Sequence, residues 1–549
     1  MPAVTDTTSA EPTYNLADLW EMVVDHDGVA GREALVCGGR RYSYADLEER
    51  ANRLANHLAS VGVGPGDFVG CYLPNHEAYI DTLLACFKIR AVPVNVNYRY
   101  VTDELRHLFN DAGLVAVVCP ADYVSRVAAV AADVPTLRHT LVVGAATAGV
   151  DLGGVPDGVD YDAALAAAPA SRPVVAGRGG DDLYVIYTGG TTGLPKGVVW
   201  RIEDAFFGCI GGGDPLRMSG NVERPGEILE RIVDFDLTFY ALAPMMHAAA
   251  QWVSMMWLLC GAKVILHVGS FDAVEIWRTV EAEKVSMMTT VGDAMARPLA
   301  DAWDEFGPFE VASLYSLSNG GAPLNAVTKQ RLQSALPNAM FTDGFGSSET
   351  GIQGSARLAP GEQAGDRVRF NHMSEGTLVL DGEDNEVEPG SGVVGRVATT
   401  GYIPLRYHNA PEKTAETFVE IDGRRYVLSG DMAVVEDDGS VVLLGRGSVC
   451  INTGGEKVYP EEVEAVVKSH PDVYDAVVVG VPNERWGEQV TAVVRPTPGA
   501  EVTLDALAEH CRASLASYKV PRDLIVVESI ERSPAGKADY RWAKQVATR

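Results

Sequence analysis

Clustered cysteine is missing from this chain. Its eight cysteines, at 37, 71, 86, 119, 209, 260, 450 and 511, are scattered, with no Cys-x-x-Cys pair. No Cys/His cluster has zinc spacing, which argues against a zinc-built fold. Residues 1–13 are small and polar and lack a signal-peptide pattern. The thiols are therefore expected to be reduced and buried in a cytoplasmic protein. Positive charge is also scarce. Lys and Arg total 45 against 74 Asp and Glu, a net charge of −29. That balance disfavours nucleic acid and anionic membrane surfaces as partners. It leaves small anionic ligands open, because a few lysines and backbone donors reverse the field inside a cleft. Long apolar runs are absent as well. The most apolar stretch, 248–268, is broken by Gln251, Ser254 and Lys263, so it reads as core and no membrane span is expected.

What the chain does have is one conspicuous loop. Residues 187–197 read Tyr-Thr-Gly-Gly-Thr-Thr-Gly-Leu-Pro-Lys-Gly, between the apolar runs 183–186 and 198–200. Glycines let successive backbone N–H groups turn toward one anion. Hydroxyls and the lysine add donors and charge. An ordinary hairpin turn needs far fewer special residues. The loop suits a polyphosphate, with Thr188, Gly189, Gly190, Thr191, Thr192 and Lys196 as candidate contacts. It is not a Walker A loop, which ends Gly-Lys-Ser/Thr and opens a helix. Here Pro195 precedes Lys196 and Gly197 follows it, favouring an extended path.

A chain of 549 residues exceeds one compact core, and two or more domains are expected. Asn15 opens a first helix, and Ser43 with Asp46 caps a second. Helical patterns then alternate with short Val-rich strands, which implies α/β architecture with parallel sheets flanked by helices. Residues 145–180 read as a loose connection, and 211–226 as a polar surface insertion rather than a lid. Asp-Gly signals at 422–423 and 438–439 mark hairpins, which suggest a small β-barrel-like portion. Beyond Ser448 an α+β pattern begins that is long enough to fold alone. The expected domains are 1–447 and 448–549.

The loop at 187–197 closely resembles the signature of the adenylate-forming superfamily, which includes acyl-CoA synthetases, luciferases and peptide-synthetase adenylation domains. Gly189 stands where serine is usual, so one hydroxyl is missing. Further motifs follow in the family's order. Asp343-Gly344-Phe345-Gly346-Ser-Ser348-Glu349 resembles the adenine and metal loop. As a bare pattern, a structural role explains it equally well. Through the resemblance, Phe345 would stack on adenine, Ser348 would bond the α-phosphate and Glu349 would bind Mg²⁺. Gly320, Gly321, Ala322 and Pro323 resemble the glycine-rich motif beside adenylate and acyl group. A lone histidine is usually a core residue, but His247, after Pro-Met-Met, resembles the position against the substrate carboxylate. Asp431, in Ser-Gly-Asp, resembles the ribose ligand, and Arg446 the arginine that joins it. Ser448 takes the hinge position, usually Asp or Lys. Gly454, Gly455 and Glu456 resemble the CoA loop. Lys537, in Pro-Ala-Gly-Lys, resembles the lysine that reaches the α-phosphate.

The resemblance covers essentially the whole chain. It implies a mobile C-terminal domain carrying Lys537 and the CoA loop. It also implies an ATP-dependent ligase that joins a bulky hydrophobic acid to CoA through acyl-AMP, with Mg²⁺ as cofactor. Within the superfamily the motifs look most like bacterial synthetases for long-chain or polycyclic (steroid, diterpenoid) acids. Homodimers are frequent in the family. Two alternatives follow from the departures: an enzyme performing mainly thioesterification of supplied acyl-AMP, and a non-catalytic nucleotide-binding regulatory module.

Overall fold

The computed structural model describes residues 12–189, 194–216, 219–365, 367–453, 456–532 and 537–549. Chain contacts divide it into one unit of residues 1–270 with 402–415 and a second of 271–401 with 416–549.

In the first unit the Val-rich runs become parallel strands. The sheet order is Arg406–Tyr407, Lys196–Arg201, Leu183–Thr188, Val92–Asn95, Phe68–Cys71, Ala116–Pro120, His139–Val143, Gly158–Asp160. From Leu183–Thr188 onward all pairings are parallel. Lys196–Arg201 folds back antiparallel on Leu183–Thr188, with Thr188 opposite Lys196. Strands buried on both faces need continuous apolar runs, and Val92, Val94, Val117, Val185 and Val199 share one core. A second set pairs Thr238–Ala241, Lys263–Leu266 and Glu33–Cys37 in parallel, and Arg40–Ser43 adds antiparallel. Helix Tyr44–Ser60 starts on the expected box: the Ser43 hydroxyl accepts from the Asp46 N–H, and the Asp46 carboxylate accepts from the Ser43 N–H.

Two stretches are more ordered than their composition suggests. Residues 145–180 contain strand Gly158–Asp160 and helix Tyr161–Ala167, capped by Asp160. The Tyr161 ring is fully buried and its hydroxyl donates to Asp81 at 2.9 Å. One aromatic anchor replaces the apolar periodicity that the alanines cannot show. The 211–226 insertion is packed down by Val222 at its C-terminal side. The Asp214 carboxylate accepts from the N–H groups of Ser219 and Gly220.

The second unit opens with parallel strands Met287–Thr290, Ser316–Asn319 and Met340–Ser347. Strands Gly351–Leu358 and His372–Met373 follow antiparallel. An antiparallel sheet comes next, ordered Thr377–Leu380, Gly395–Thr399, Arg424–Val435, Phe418–Ile421, with Val441–Arg446 also on Arg424–Val435. The last hundred residues build a sheet around the long hairpin Val473–Asn483/Gly487–Pro496, with helices Pro460–Lys468 and Leu504–Arg512. Val463, Val467, Val478, Val490 and Leu507 form its own core. The architecture is thus α/β with parallel sheets and helices, followed by antiparallel sheets and a smaller α+β C-terminal portion. Every cysteine is free, and all but Cys450 are buried. Burial pushes the Cys37 and Cys260 thiols up to about 12.

Candidate active site

In the first unit the glycine-rich loop is anchored at its base by a buried amide. The Tyr187 N–H donates to Asn95 Oδ1 at 2.6 Å, and Asn95 Nδ2 donates to the Tyr187 carbonyl at 2.8 Å. The same Nδ2 donates to the Met246 carbonyl at 2.7 Å. Asn95 therefore ties the stem of the loop to the Pro-Met-Met-His turn. That turn is held from two other sides. The Met245 N–H donates to Asn75 Oδ1 at 2.6 Å, and Gln251 Nε2 donates to the Met245 carbonyl at 2.8 Å. His247 ends the turn as N-cap of helix Ala248–Leu259 and is half-buried. Thr188, half-buried, faces Lys196 across the hairpin, and the Lys196 ammonium lies 6.0 Å from the Tyr407 ring. A Cβ on Gly197 would come within 2.8 Å of the Tyr187 ring, so glycine is required there. Gly190, Thr191 and Thr192 lie outside the described residues.

In the second unit, Asn319 ends its strand and stands opposite Asp343, midway along the neighbouring parallel strand Met340–Ser347. This is the strand end where open α/β sheets bind ligands. Asn319 Nδ2 donates to Asp343 Oδ1 at 3.2 Å and to the Ala322 carbonyl at 3.1 Å, while Asn319 Oδ1 accepts from the Gly292 N–H at 2.7 Å. The 320–323 loop thus shares a hub with the 343–349 segment, which is not a free loop but the outer half of strand Met340–Ser347 and the turn after it. Gly321 turns with φ +77°, and a Cβ on Gly346 would lie 2.0 Å from the Gly351 carbonyl oxygen. Gly320, Gly344 and Pro323 belong to the same pair of segments. The Phe345 ring leans on Phe370, with centroids 4.5 Å apart. Glu349 and Ser348 are half-buried, and the Glu349 N–H donates to the Ser347 hydroxyl at 3.2 Å.

Asp431 and Arg446 face each other across strands Arg424–Val435 and Val441–Arg446, as an ion pair at 3.4 Å. Lys537 joins them. The residue keeps solvent access, but its ammonium lies in a crowded, charged surrounding. Desolvation and then Arg446 push its pKa below the usual lysine range, against the pull of Glu349, Asp431 and Glu461. Glu349, Asp431 and Arg446 of the second unit thus lie close enough for their charges to act on Lys537. Glu461 stands beside them. Burial, then Glu464 and Asp431, raise its carboxyl to about 7. Ser448 is exposed in the turn Gly447–Val449, and Glu456 is exposed opposite Thr453. Gly454 and Gly455 lie outside the described residues.

The profile of AMP-binding enzymes matches residues 25–405, and that of the AMP-binding enzyme C-terminal domain matches 462–537. The chain belongs to the AMP-binding enzymes. It is 44% identical over 549 residues to a medium/long-chain-fatty-acid–CoA/3-oxocholest-4-en-26-oate–CoA ligase of Mycobacterium marinum, covering 97% of this chain and 96% of that one. It is 45% identical over 536 residues to the 3-oxocholest-4-en-26-oate–CoA ligase of Rhodococcus rhodochrous, covering 96% and 95%. Its fold matches that of the anthranilate CoA ligase AuaEII bound to anthranoyl-AMP, with TM-score 0.83, 22% identity and 98% of each chain covered. This AMP-binding enzyme is an acid–thiol ligase of the acyl-CoA synthetase kind, using ATP and CoA.

The sequence names the motif residues but not the side chains that brace them, Asn75, Asn95 and Asn319, nor Glu461. One signal could have found Asn95 and Asn319: each is the polar residue that ends a Val- or Ser/Leu-bearing parallel strand, the position that faces a ligand cleft.

Proposed function

We propose that the enzyme activates a bulky hydrophobic carboxylic acid, with steroid side-chain and long-chain fatty acids as the first candidates. The names of its relatives at 44–45% identity support this substrate class. The observation that carries the site assignment is that Glu349, Asp431 and Arg446 lie close enough for their charges to act on Lys537. In the first half-reaction a substrate carboxylate oxygen attacks the α-phosphorus of ATP. The bond to pyrophosphate breaks, and acyl-AMP forms. Lys537 offsets the charge gathering on the α-phosphate oxygens. Asp431 accepts from the ribose hydroxyls with Arg446 beside it, and Thr188 to Lys196 hold the departing phosphates. His247 lies against the carboxylate. In the second half-reaction the CoA thiol attacks the acyl carbon, AMP leaves and the thiol proton is released. For this step residues 448–549 form the mobile domain, swinging at Ser448 to bring up the loop Gly454, Gly455, Glu456.

Among the described residues no group of three or more His, Cys, Asp or Glu side chains could hold a metal. The half-buried carboxylate of Glu349 fits Mg²⁺, which takes one or two carboxylates plus substrate phosphates rather than an all-protein cage. Bound there, Mg²⁺ would neutralise phosphate charge. No helix among the described residues is long and apolar enough to cross a membrane. The reading has the enzyme in the cytoplasm, with the homodimer as the assembly to test by light scattering.

The test is incubation with a panel of steroid and fatty acids, ATP and CoA. AMP, pyrophosphate and the acyl-CoA should appear together. ADP in place of AMP overturns the mechanism. Lys537→Ala should lower pyrophosphate exchange by about 100-fold or more, as removal of one transition-state donor does, while sparing thioester formation from supplied acyl-AMP. Equal loss of both removes Lys537 from its role.

A further inference from the structure

We propose that Lys329 is a positioning residue for the adenylate site, acting through Asp343; the inference rests on the reading that the 320–323 and 343–349 segments hold the nucleotide. Lys329 lies on helix Ala326–Ala335, outside every motif. Its side chain is only 4% exposed, and its ammonium forms an ion pair with Asp343, 8% exposed. A lysine is almost never this buried unless paired. The pairing is directed at the hub of the site. Asp343 Oδ2 accepts from Lys329, and Asp343 Oδ1 accepts from Asn319. Asn319 in turn holds the Gly292 N–H and the Ala322 carbonyl.

The geometry assigns a division of labour. Asn319 is a neutral amide and sets the spacing of two neighbouring strands. Asp343 is charged and fixes the Asn319 amide so that its Nδ2 points at both Asp343 and Ala322. A carboxylate in a site this closed needs a counter-charge, because an uncompensated buried charge is strongly unfavourable. Lys329 supplies it from helix Ala326–Ala335. Removal of the ammonium leaves a buried carboxylate that must find water or a proton. The Asn319 hub then loses its orientation, and both segments lose register.

The test measures AMP binding by calorimetry, without turnover. Lys329→Met should weaken AMP binding by about tenfold or more, the scale expected when one partner of a buried pair is removed. The charge-balanced Lys329→Met/Asp343→Asn variant should recover at least about threefold of that loss, because the carboxamide keeps an acceptor for Asn319 and no charge is left unpaired. A lysine that serves only stability lowers the melting temperature of the single variant and leaves the AMP affinity of the folded protein unchanged. AMP affinity in Lys329→Met within twofold of the parent overturns the proposal, as does a double variant no tighter than the single one. If Lys329→Met does not fold, the double variant decides alone. Folded and within about threefold of the parent, it supports the role; folded but weaker, or unfolded, it overturns it. A parent that binds AMP but joins no acid to CoA sinks the ligase reading and leaves this one standing.

Discussion

Among the described residues nothing in the packing asks for glycine at Gly189. Of these, a Cβ there meets only the Tyr100 hydroxyl, at 3.6 Å, and the backbone is not left-handed. Gly346 and Gly197 are different, since a Cβ on either strikes a carbonyl or a ring. Gly189→Ser should therefore fold normally and return a hydroxyl toward the phosphates. A hydrogen bond to a charged group contributes about 1.5–3 kcal/mol. The kcat/KM for ATP in pyrophosphate exchange should rise by about tenfold; a fall would mean that the loop needs its glycine for motion. Glu461 makes a second prediction. Its folded carboxyl is raised from 4.5 to about 7, chiefly by burial and then by Glu464 and Asp431, against Arg446 and Lys468. The folded chain thus holds a proton that the unfolded chain gives up between those values. The stability this group contributes is full below 4.5 and is lost as the pH rises through about 7. Glu461→Gln, which cannot ionise, should gain in melting temperature over the parent as the pH goes from 5 to 8. A constant difference across that range would show that Glu461 does not titrate there. Sequence could not announce Glu461, because its neighbours Asp431 and Arg446 arrive from a different sheet.

At the level of elements, the parallel strands were legible because a strand buried on both faces must be an apolar run. Val92–Asn95 and Leu183–Thr188 are such runs. Helix Tyr161–Ala167 was not legible, since alanines carry no apolar periodicity and Tyr161 alone fixes it. The tethering amides were hidden for a related reason: their partners are backbone groups, which leave no trace in side-chain pattern. Asn95 joins two elements that carry candidate contacts, the loop stem at Tyr187 and the turn at Met246. Asn95→Ala leaves those backbone groups without their partner, at a cost of about 1–3 kcal/mol. A shift of even an ångström in positioning costs on the order of 100-fold in rate. Pyrophosphate exchange should fall by about 10- to 100-fold while the melting temperature drops only by several degrees. Loss of stability with full specific activity in the folded fraction would make Asn95 a core residue only.

On the scale of the whole molecule, the motifs in sequence order implied a moving C-terminal portion but not what holds it. Within the second unit, Tyr474 lies among the contacts that the proposed motion would have to break. Its ring centroid lies 4.7 Å from the Arg297 guanidinium and 4.3 Å from that of Arg495. Its hydroxyl is 3.5 Å from Asp301. Arg367 pairs with Glu462 at 3.1 Å, and Asn325 Nδ2 reaches the Ala465 carbonyl at 3.5 Å. Arg297, Asp301, Asn325 and Arg367 precede Ser448, and Tyr474, Glu462 and Ala465 follow it. A swing at Ser448 has to break the contacts between these two groups, while the Tyr474–Arg495 contact lies within the C-terminal portion and moves with it. They also accompany the arrangement in which Lys537 stands near Glu349, so they should favour the adenylating half and oppose the thioester half. A cation–π contact contributes about 0.5–2 kcal/mol. Tyr474→Ala should therefore slow pyrophosphate exchange by about 3- to 30-fold. Thioester formation from supplied acyl-AMP should stay constant or quicken, because the barrier to leaving the first arrangement is lower. The two half-reactions are measured separately on the same preparation. A loss shared equally between them would mean that Tyr474 supports the fold and not the choice between arrangements.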